Sequence, residues 1–215
     1  NLNNLIEDGW EIVEETDCEE NDEYEYLEVL VETNDYTPDA IDMLLTAGVT
    51  TNIHYVLSNT TIDEAILRLK HNGFPKGINA VIFLLHKPVG QGDESDVLKY
   101  EDPRLTEFFE LIDKPHDFKI GFDSCTIPAI LNFSKNINLN SVDTCEAARF
   151  SMYITSDMIA LPCSFDNVNQ KYAYNLKNGT IQDAWDSDAF NRFRLSFQTS
   201  CVHCKNRKQC LGGCP

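Results

Sequence analysis

Between Tyr24 and Phe122 the hydrophobic pattern switches repeatedly between a period of two and a helical period, which predicts strands alternating with helices. Tyr24 to Thr33 predicts a strand, with Leu27, Val29 and Val31 on one face. Thr37 then caps a helix, Pro38 takes its first position, Ile41, Leu44 and Leu45 form its apolar stripe, and Gly48 ends it. A second strand is predicted over Val49 to Leu57. Thr61 and Glu64 are spaced as a capping box for the next helix, whose Ile62, Ala65, Ile66 and Leu69 recur at helical spacing up to Gly73. Ile78 to Leu85 is a nearly continuous apolar run, as expected when both faces of a parallel strand are covered. Asp102 and Pro103 open a third helix with Leu105, Phe108, Phe109 and Ile112, and Phe118 to Phe122 is short and strand-like. Repeated β-α units with short connections predict an α/β fold, either a parallel sheet or part of a β/α barrel.

Alternation within Val49 to Leu57 sends Ile53, Tyr55 and Leu57 one way and Asn52 and His54 the other. The apolar set is expected against the helices, which leaves Asn52 and His54 facing a barrel interior. Polar residues there serve either a ligand or a structural hydrogen bond. The loop Pro88-Val-Gly-Gln-Gly92 follows the next strand at its C-terminal end, where ligands of parallel sheets bind. From Cys125 the pattern changes to short segments rich in Asn and Ser, with cysteines interspersed. A domain boundary is placed near residue 122, giving units 1–122 and 123–215. Helical spacing returns with Ile181 and Trp185, and Ser187 is expected to cap a further helix carrying Phe190, Phe193 and Phe197.

The formal charge of −18 over 215 residues is concentrated at the start, where no Lys or Arg occurs before Arg68. That balance argues against a nucleic-acid partner, which needs clustered cations. The longest apolar run, Ala80 to Leu85, is too short to span a bilayer. No secretory signal pattern opens the chain. No membrane association is expected, and a cytoplasmic location is. After Asp188 the sign reverses, with Arg192, Arg194, Lys205, Arg207 and Lys208 surrounding the densest cysteines.

Those cysteines form the run Cys201-x2-Cys204-x5-Cys210-x3-Cys214-Pro215. Four thiols on short turns converge on a compact inorganic core, and Gly212 and Gly213 allow close approach of the backbone. In ferredoxins, three closely spaced cysteines hold one cluster and a fourth, in Cys-Pro, holds another. The same division here assigns Cys201, Cys204 and Cys210 to one cluster and Cys214 to a second. A structural zinc site, or disulfides, is the competing reading, although zinc usually takes paired CxxC or CxxC with HxxxH.

The run, preceded by Cys145 and Cys163, resembles the SPASM domain, the C-terminal auxiliary-cluster module of many radical S-adenosylmethionine enzymes. That family's upstream signature is Cys, nine to fifteen residues, Gly, four residues, Cys; here Met158 occupies the Gly position. The pattern Ile181-Gln-Asp-Ala-Trp185 with Phe190 and Arg194 also resembles the family's helix before the cysteine run, and the α/β part resembles late strands of its barrel. The family's CxxxCxxC loop is absent from this sequence, and so is its closing cysteine. The resemblance therefore implies a fragment: the C-terminal half of a β/α barrel followed by a SPASM domain, inactive alone. Sulfatase-maturing members carry an Asp where Ser164 stands, which argues against that branch.

The resemblance further implies two auxiliary 4Fe–4S clusters. One would be held by Cys145, Cys163 and Cys214, with Cys125 as candidate fourth ligand; the other would be held by Cys201, Cys204 and Cys210. Asn52 and His54 become candidates for cofactor binding. The full-length enzyme would bind S-adenosylmethionine and a further 4Fe–4S cluster and generate a 5′-deoxyadenosyl radical. Its partners would be a peptide or protein substrate and a reductant protein such as a flavodoxin or ferredoxin. The competing function is a non-catalytic metal-binding or electron-transfer module, iron–sulfur or structural zinc.

Overall fold

A computed structural model describes residues 37–167 and 169–211, together with the short strands β1 (Ile12–Val13) and β2 (Glu28–Val29), which pair antiparallel. The rest of the strand expected over Tyr24 to Thr33 lies outside the described residues. Helix α1 spans Thr37–Thr46, with Ala40, Ile41 and Leu44 buried, and Gly48 follows it with a positive φ of 78°.

Three strands form a parallel sheet in the order β3 (Asn52–Leu57), β4 (Ala80–Leu85) and β5 (Lys119–Phe122). The register runs from Asn52 opposite Ala80 to Leu57 opposite Leu85, and from Ala80 opposite Lys119 to Phe83 opposite Phe122. Helices α2 (Ile62–His71) and α3 (Arg104–Ile112) are the crossovers. Their apolar stripes meet Ile53, Tyr55, Leu57, Val81 and Phe83 in one core. Phe83 is its centre, with ring centroids 5.7 Å from Tyr55 and 5.0 Å from Phe108. Arg104 ties the start of α3 to α2, bonding Asp63 at 2.8 Å and Asp102 at 2.6 Å.

The start of α2 differs from the expected capping box. Thr61 already has near-helical backbone angles and makes no side-chain cap. Its hydroxyl instead donates to the Val56 carbonyl at 2.6 Å, and Glu64 is engaged by Arg68 at 2.7 Å and by the Tyr55 hydroxyl at 3.2 Å. At the other end Asn72, not Gly73, takes the left-handed cap. A short helix missing from the sequence reading, α4 (Ile127–Phe133), follows β5 and adds Ile130 and Phe133 to the first core. Its Pro128 sits in the first turn, where no amide partner is needed.

Beyond residue 145 the architecture changes. Strands β6 (Tyr153–Ile154), β7 (Ile159–Leu161) and β8 (Tyr174–Asn175) form a small antiparallel sheet in chain order. Helix α5 (Ile181–Trp185) opens with a complete capping box between Thr180 and Asp183. Helix α6 (Asp188–Ser200) is capped by the Ser187 hydroxyl, which accepts the Phe190 amide at 3.3 Å, as the sequence predicts. Phe190, fully buried, anchors a second core with Ala148, Ala160, Tyr172, Ala184 and Phe193. Among the described residues no helix is long and apolar enough to cross a membrane.

Contacts among the described residues join the parts. Asn206 donates to the Leu131 carbonyl at 3.2 Å, and the Lys87 ammonium lies 6.0 Å from the Phe165 ring centre.

Candidate cluster-binding site

The cysteines lie where regular elements end. Cys125 lies in a single 3-10 turn, Ser124–Thr126, directly after β5. Asp123 fixes this turn: one carboxylate oxygen accepts the Thr126 amide and hydroxyl at 3.0 and 2.6 Å, and the other accepts the Leu85 amide at 3.1 Å. The Cys125 turn is thereby fastened to the ends of both β4 and β5.

Cys145 precedes a tight loop in which the Glu146 carbonyl accepts the amides of Arg149 and Phe150, and Ala148 bonds back to Ser151. Cys163 follows β7 through Pro162 and starts the 3-10 turn Ser164–Asn167, its carbonyl accepting the Asp166 amide at 3.1 Å. Both thiol residues pack against the second core. Because Phe165 meets Lys87, the segment after Cys163 sits beside the loop that follows β4.

The later run begins after α6. Cys201 and Cys204 close a turn through the Cys204 amide and Cys201 carbonyl at 3.0 Å. Arg207 braces that turn by donating to the Val202 carbonyl at 3.1 Å. Cys210 is buried at the end of α7 (Arg207–Cys210), and Leu211 caps that helix in the left-handed conformation. Cys214, and with it the expected grouping of its thiol with Cys145 and Cys163, lies outside the described residues, as do Gly212, Gly213 and Cys18.

Two arginines hold these pieces together. Arg149 donates to the carbonyls of Cys145 at 3.3 Å, Arg194 at 3.4 Å and Leu211 at 3.2 Å. Arg194 donates to the Ala148 carbonyl at 2.6 Å and lies over the Trp185 ring at 4.7 Å and the Phe190 ring at 5.8 Å. Burial pulls the Arg194 guanidinium below its ordinary pKa, although it stays charged because that ordinary value is so high. The Trp185, Phe190 and Arg194 pattern seen in the sequence is thus one stacked contact. Arg149 carried no signal in the sequence, since a single Arg in a loop has no pattern.

Met158, at the position where the motif has Gly, has φ +66°. That is the left-handed region which Gly enters freely and other residues enter at a cost. Its carbonyl accepts the Leu176 amide at 2.9 Å, so the turn between β6 and β7 is fixed despite the substitution.

Asn52 and His54 lie on the sheet face away from the helices, both partly exposed. The Asn52 amide oxygen accepts from Asn79 at 2.8 Å. On this face a Cβ at Gly121 would stand 2.6 Å from Ile82 Cδ1, the movable end of that side chain.

Cys145, Cys163, Cys201 and Cys204 are free thiols, and Cys125 and Cys210 are further sulfur donors. In its chemistry such a donor set fits an iron–sulfur cluster, which takes thiolate ligands. Among the described residues no three Cys, His, Asp or Glu side chains converge closely enough to hold a metal ion. No curated protein and no solved structure matches the chain significantly. Residues 145–214 match the family model of the SPASM domain, an iron–sulfur cluster-binding domain.

Proposed function

We propose that this chain is the cluster-bearing part of a radical S-adenosylmethionine enzyme that modifies peptides or proteins. Cluster binding by residues 145–214 rests on the family match. The radical S-adenosylmethionine reading rests on the sequence resemblance, and the placement of the thiols on the Arg149 fork, which holds the Cys145 carbonyl, helix α6 and the Leu211 carbonyl on one guanidinium. Leu211 is three residues before Cys214, and three residues span at most about 11 Å. This supports a site that joins the Cys145 loop to the end of the cysteine run; its division into Cys145, Cys163 and Cys214 on one cluster and Cys201, Cys204 and Cys210 on another rests on the sequence resemblance.

Cys125 is the proposed fourth ligand of the first site. In support, its turn ends β5, and the segment after Cys163 packs against the loop that ends β4. Ligands of parallel sheets bind at those strand ends. Bound there, an auxiliary 4Fe–4S cluster would accept an electron from the substrate or ligate it. The residues of this chain place the thiols, and Arg149 and Arg194 contribute positive charge beside an anionic centre. S-adenosylmethionine and its own cluster would be held by a barrel half outside this sequence, with Asn52 and His54 on the facing surface. A flavodoxin or ferredoxin would supply electrons.

Anaerobic reconstitution with iron and sulfide tests the proposal. Iron and sulfide are expected in equal amounts, with broad absorption near ~400 nm from thiolate-ligated clusters. Cys163→Ala and Cys204→Ala should each remove a different share of the spectrum. Stoichiometric zinc without sulfide would establish the non-catalytic zinc module instead.

A further inference from the structure

Among the described residues strand β5 is an edge of the parallel sheet, and a cavity of about 590 Å3 opens along it. Its inner edge is committed: the Lys119 amide donates to the Asn79 carbonyl at 2.9 Å and the Asp123 amide to the Phe83 carbonyl at 3.1 Å. In a parallel ladder alternate residues face the same neighbour, so the amides and carbonyls of Ile120 and Phe122 point outward. Both residues line the cavity. Among the described residues nothing pairs with these two amides and two carbonyls.

The cavity walls have a definite chemistry. Ile112, Ile127, Ile130 and Ile137 provide an apolar floor, and Asp143 and Glu146 stand exposed at its margin. The other two lining carboxylates, Asp113 and Asp123, are occupied by hydrogen bonds from Ser134, Lys135, Leu85 and Thr126. Among the described residues no Lys or Arg lines the cavity. Ser124 and Thr144, the neighbours of Cys125 and Cys145, are among the lining residues.

We propose that this edge binds an extended peptide segment as an added strand, with aliphatic residues on the isoleucine floor and Lys or Arg beside Asp143 and Glu146. Main-chain bonds to Ile120 and Phe122 give affinity, and the alternating side chains give selectivity, as in other strand-addition sites. A cavity of this volume lies within the usual range for ligand sites. The assignment rests on the peptide-modifying reading for the occupant, and it places that occupant beside the segments that carry Cys125 and Cys145.

The test is fluorescence anisotropy on the full 215-residue chain. The probe is a fluorescein-labelled hexapeptide alternating Val and Lys, compared with its Val and Glu counterpart. Binding of the Lys peptide is expected, with the Glu peptide weaker by about tenfold or more. N-methylation of alternate residues should weaken binding about tenfold when placed on one set of amides and little on the other, because only one edge of the added strand is bonded. The exposed pair Asp143→Asn with Glu146→Gln should reduce the Lys preference severalfold. Equal binding of both peptides, indifference to methylation of either set, or no binding by the folded chain overturns the proposal. Iron and sulfide assayed on the same sample keep its failure distinct from failure of the cluster reading.

Discussion

Arg149 Nη2 lies 3.2 Å from the Leu211 carbonyl oxygen, across 62 positions of sequence. The contact fastens the end of the described chain to the Cys145 loop, through a guanidinium that also serves Arg194. Arg149→Ala is expected to destabilise the protein by about 1–3 kcal/mol, since charged donors to three carbonyls are lost. Arg149→Lys should recover little, because an ammonium cannot reproduce a planar fork. Urea midpoints read the stability. Iron retained per chain reads the proposed link to the Cys145 site, and unchanged iron in Arg149→Ala would remove that link.

Met158→Gly is expected to stabilise the protein by up to about 1 kcal/mol. Relief of a left-handed non-Gly residue is worth roughly 1–2 kcal/mol, and the added freedom of Gly in the unfolded chain offsets about 0.5–1 of it. Met158 is half-exposed, so little packing is lost. A lower urea midpoint would show that the Met158 side chain contributes more than its backbone costs.

Phe190→Ala should cost about 3–5 kcal/mol, the usual loss for a fully buried ring. It also removes one of the rings beneath Arg194. The loss should appear in the second core first, as faster hydrogen exchange in α6 than in β3 to β5.

Tyr55 gives the first core an alkaline limit. Burial, then the charge of Glu64, raises its phenol well above the ordinary value. A group whose folded pKa is raised contributes stability that is complete below the unfolded value and lost as pH climbs past it. Stability should therefore fall above pH about 10, and Tyr55→Phe should flatten that fall. The same variant loses the hydroxyl bonds to Thr61 and Glu64, so its midpoint at neutral pH is expected to be lower by about 1 kcal/mol. An unchanged alkaline slope in Tyr55→Phe would place the titration elsewhere.

The α/β part was legible because its periods are strong. The stripes Ile62, Ala65, Ile66, Leu69 and Leu105, Phe108, Phe109 can be buried only on helices against apolar strands. Caps were less legible, since Thr61 and Thr180 present similar spacings and only Thr180 forms the box. The hydroxyl of Thr61 is drawn to the Val56 carbonyl by a turn that spacing does not encode. Helix α4 was missed because seven residues hold barely two turns, too few to establish a period. At the candidate site the cysteines were readable as types at short spacings. The arginine fork was not, since its three carbonyl partners are backbone atoms distant in sequence and every residue has a carbonyl.

The outward amides of β5 bear on how copies of this chain meet. An unpaired strand edge is the usual route to aggregation, because any second edge can zip onto it. Here the edge adjoins carboxylates with no cation among the described lining residues, on a chain of formal charge −18. A second copy approaching that edge brings the same sign of charge, so repulsion disfavours self-pairing. The carboxylates that would suit a basic strand would by the same charge disfavour growth of a fibre from this edge.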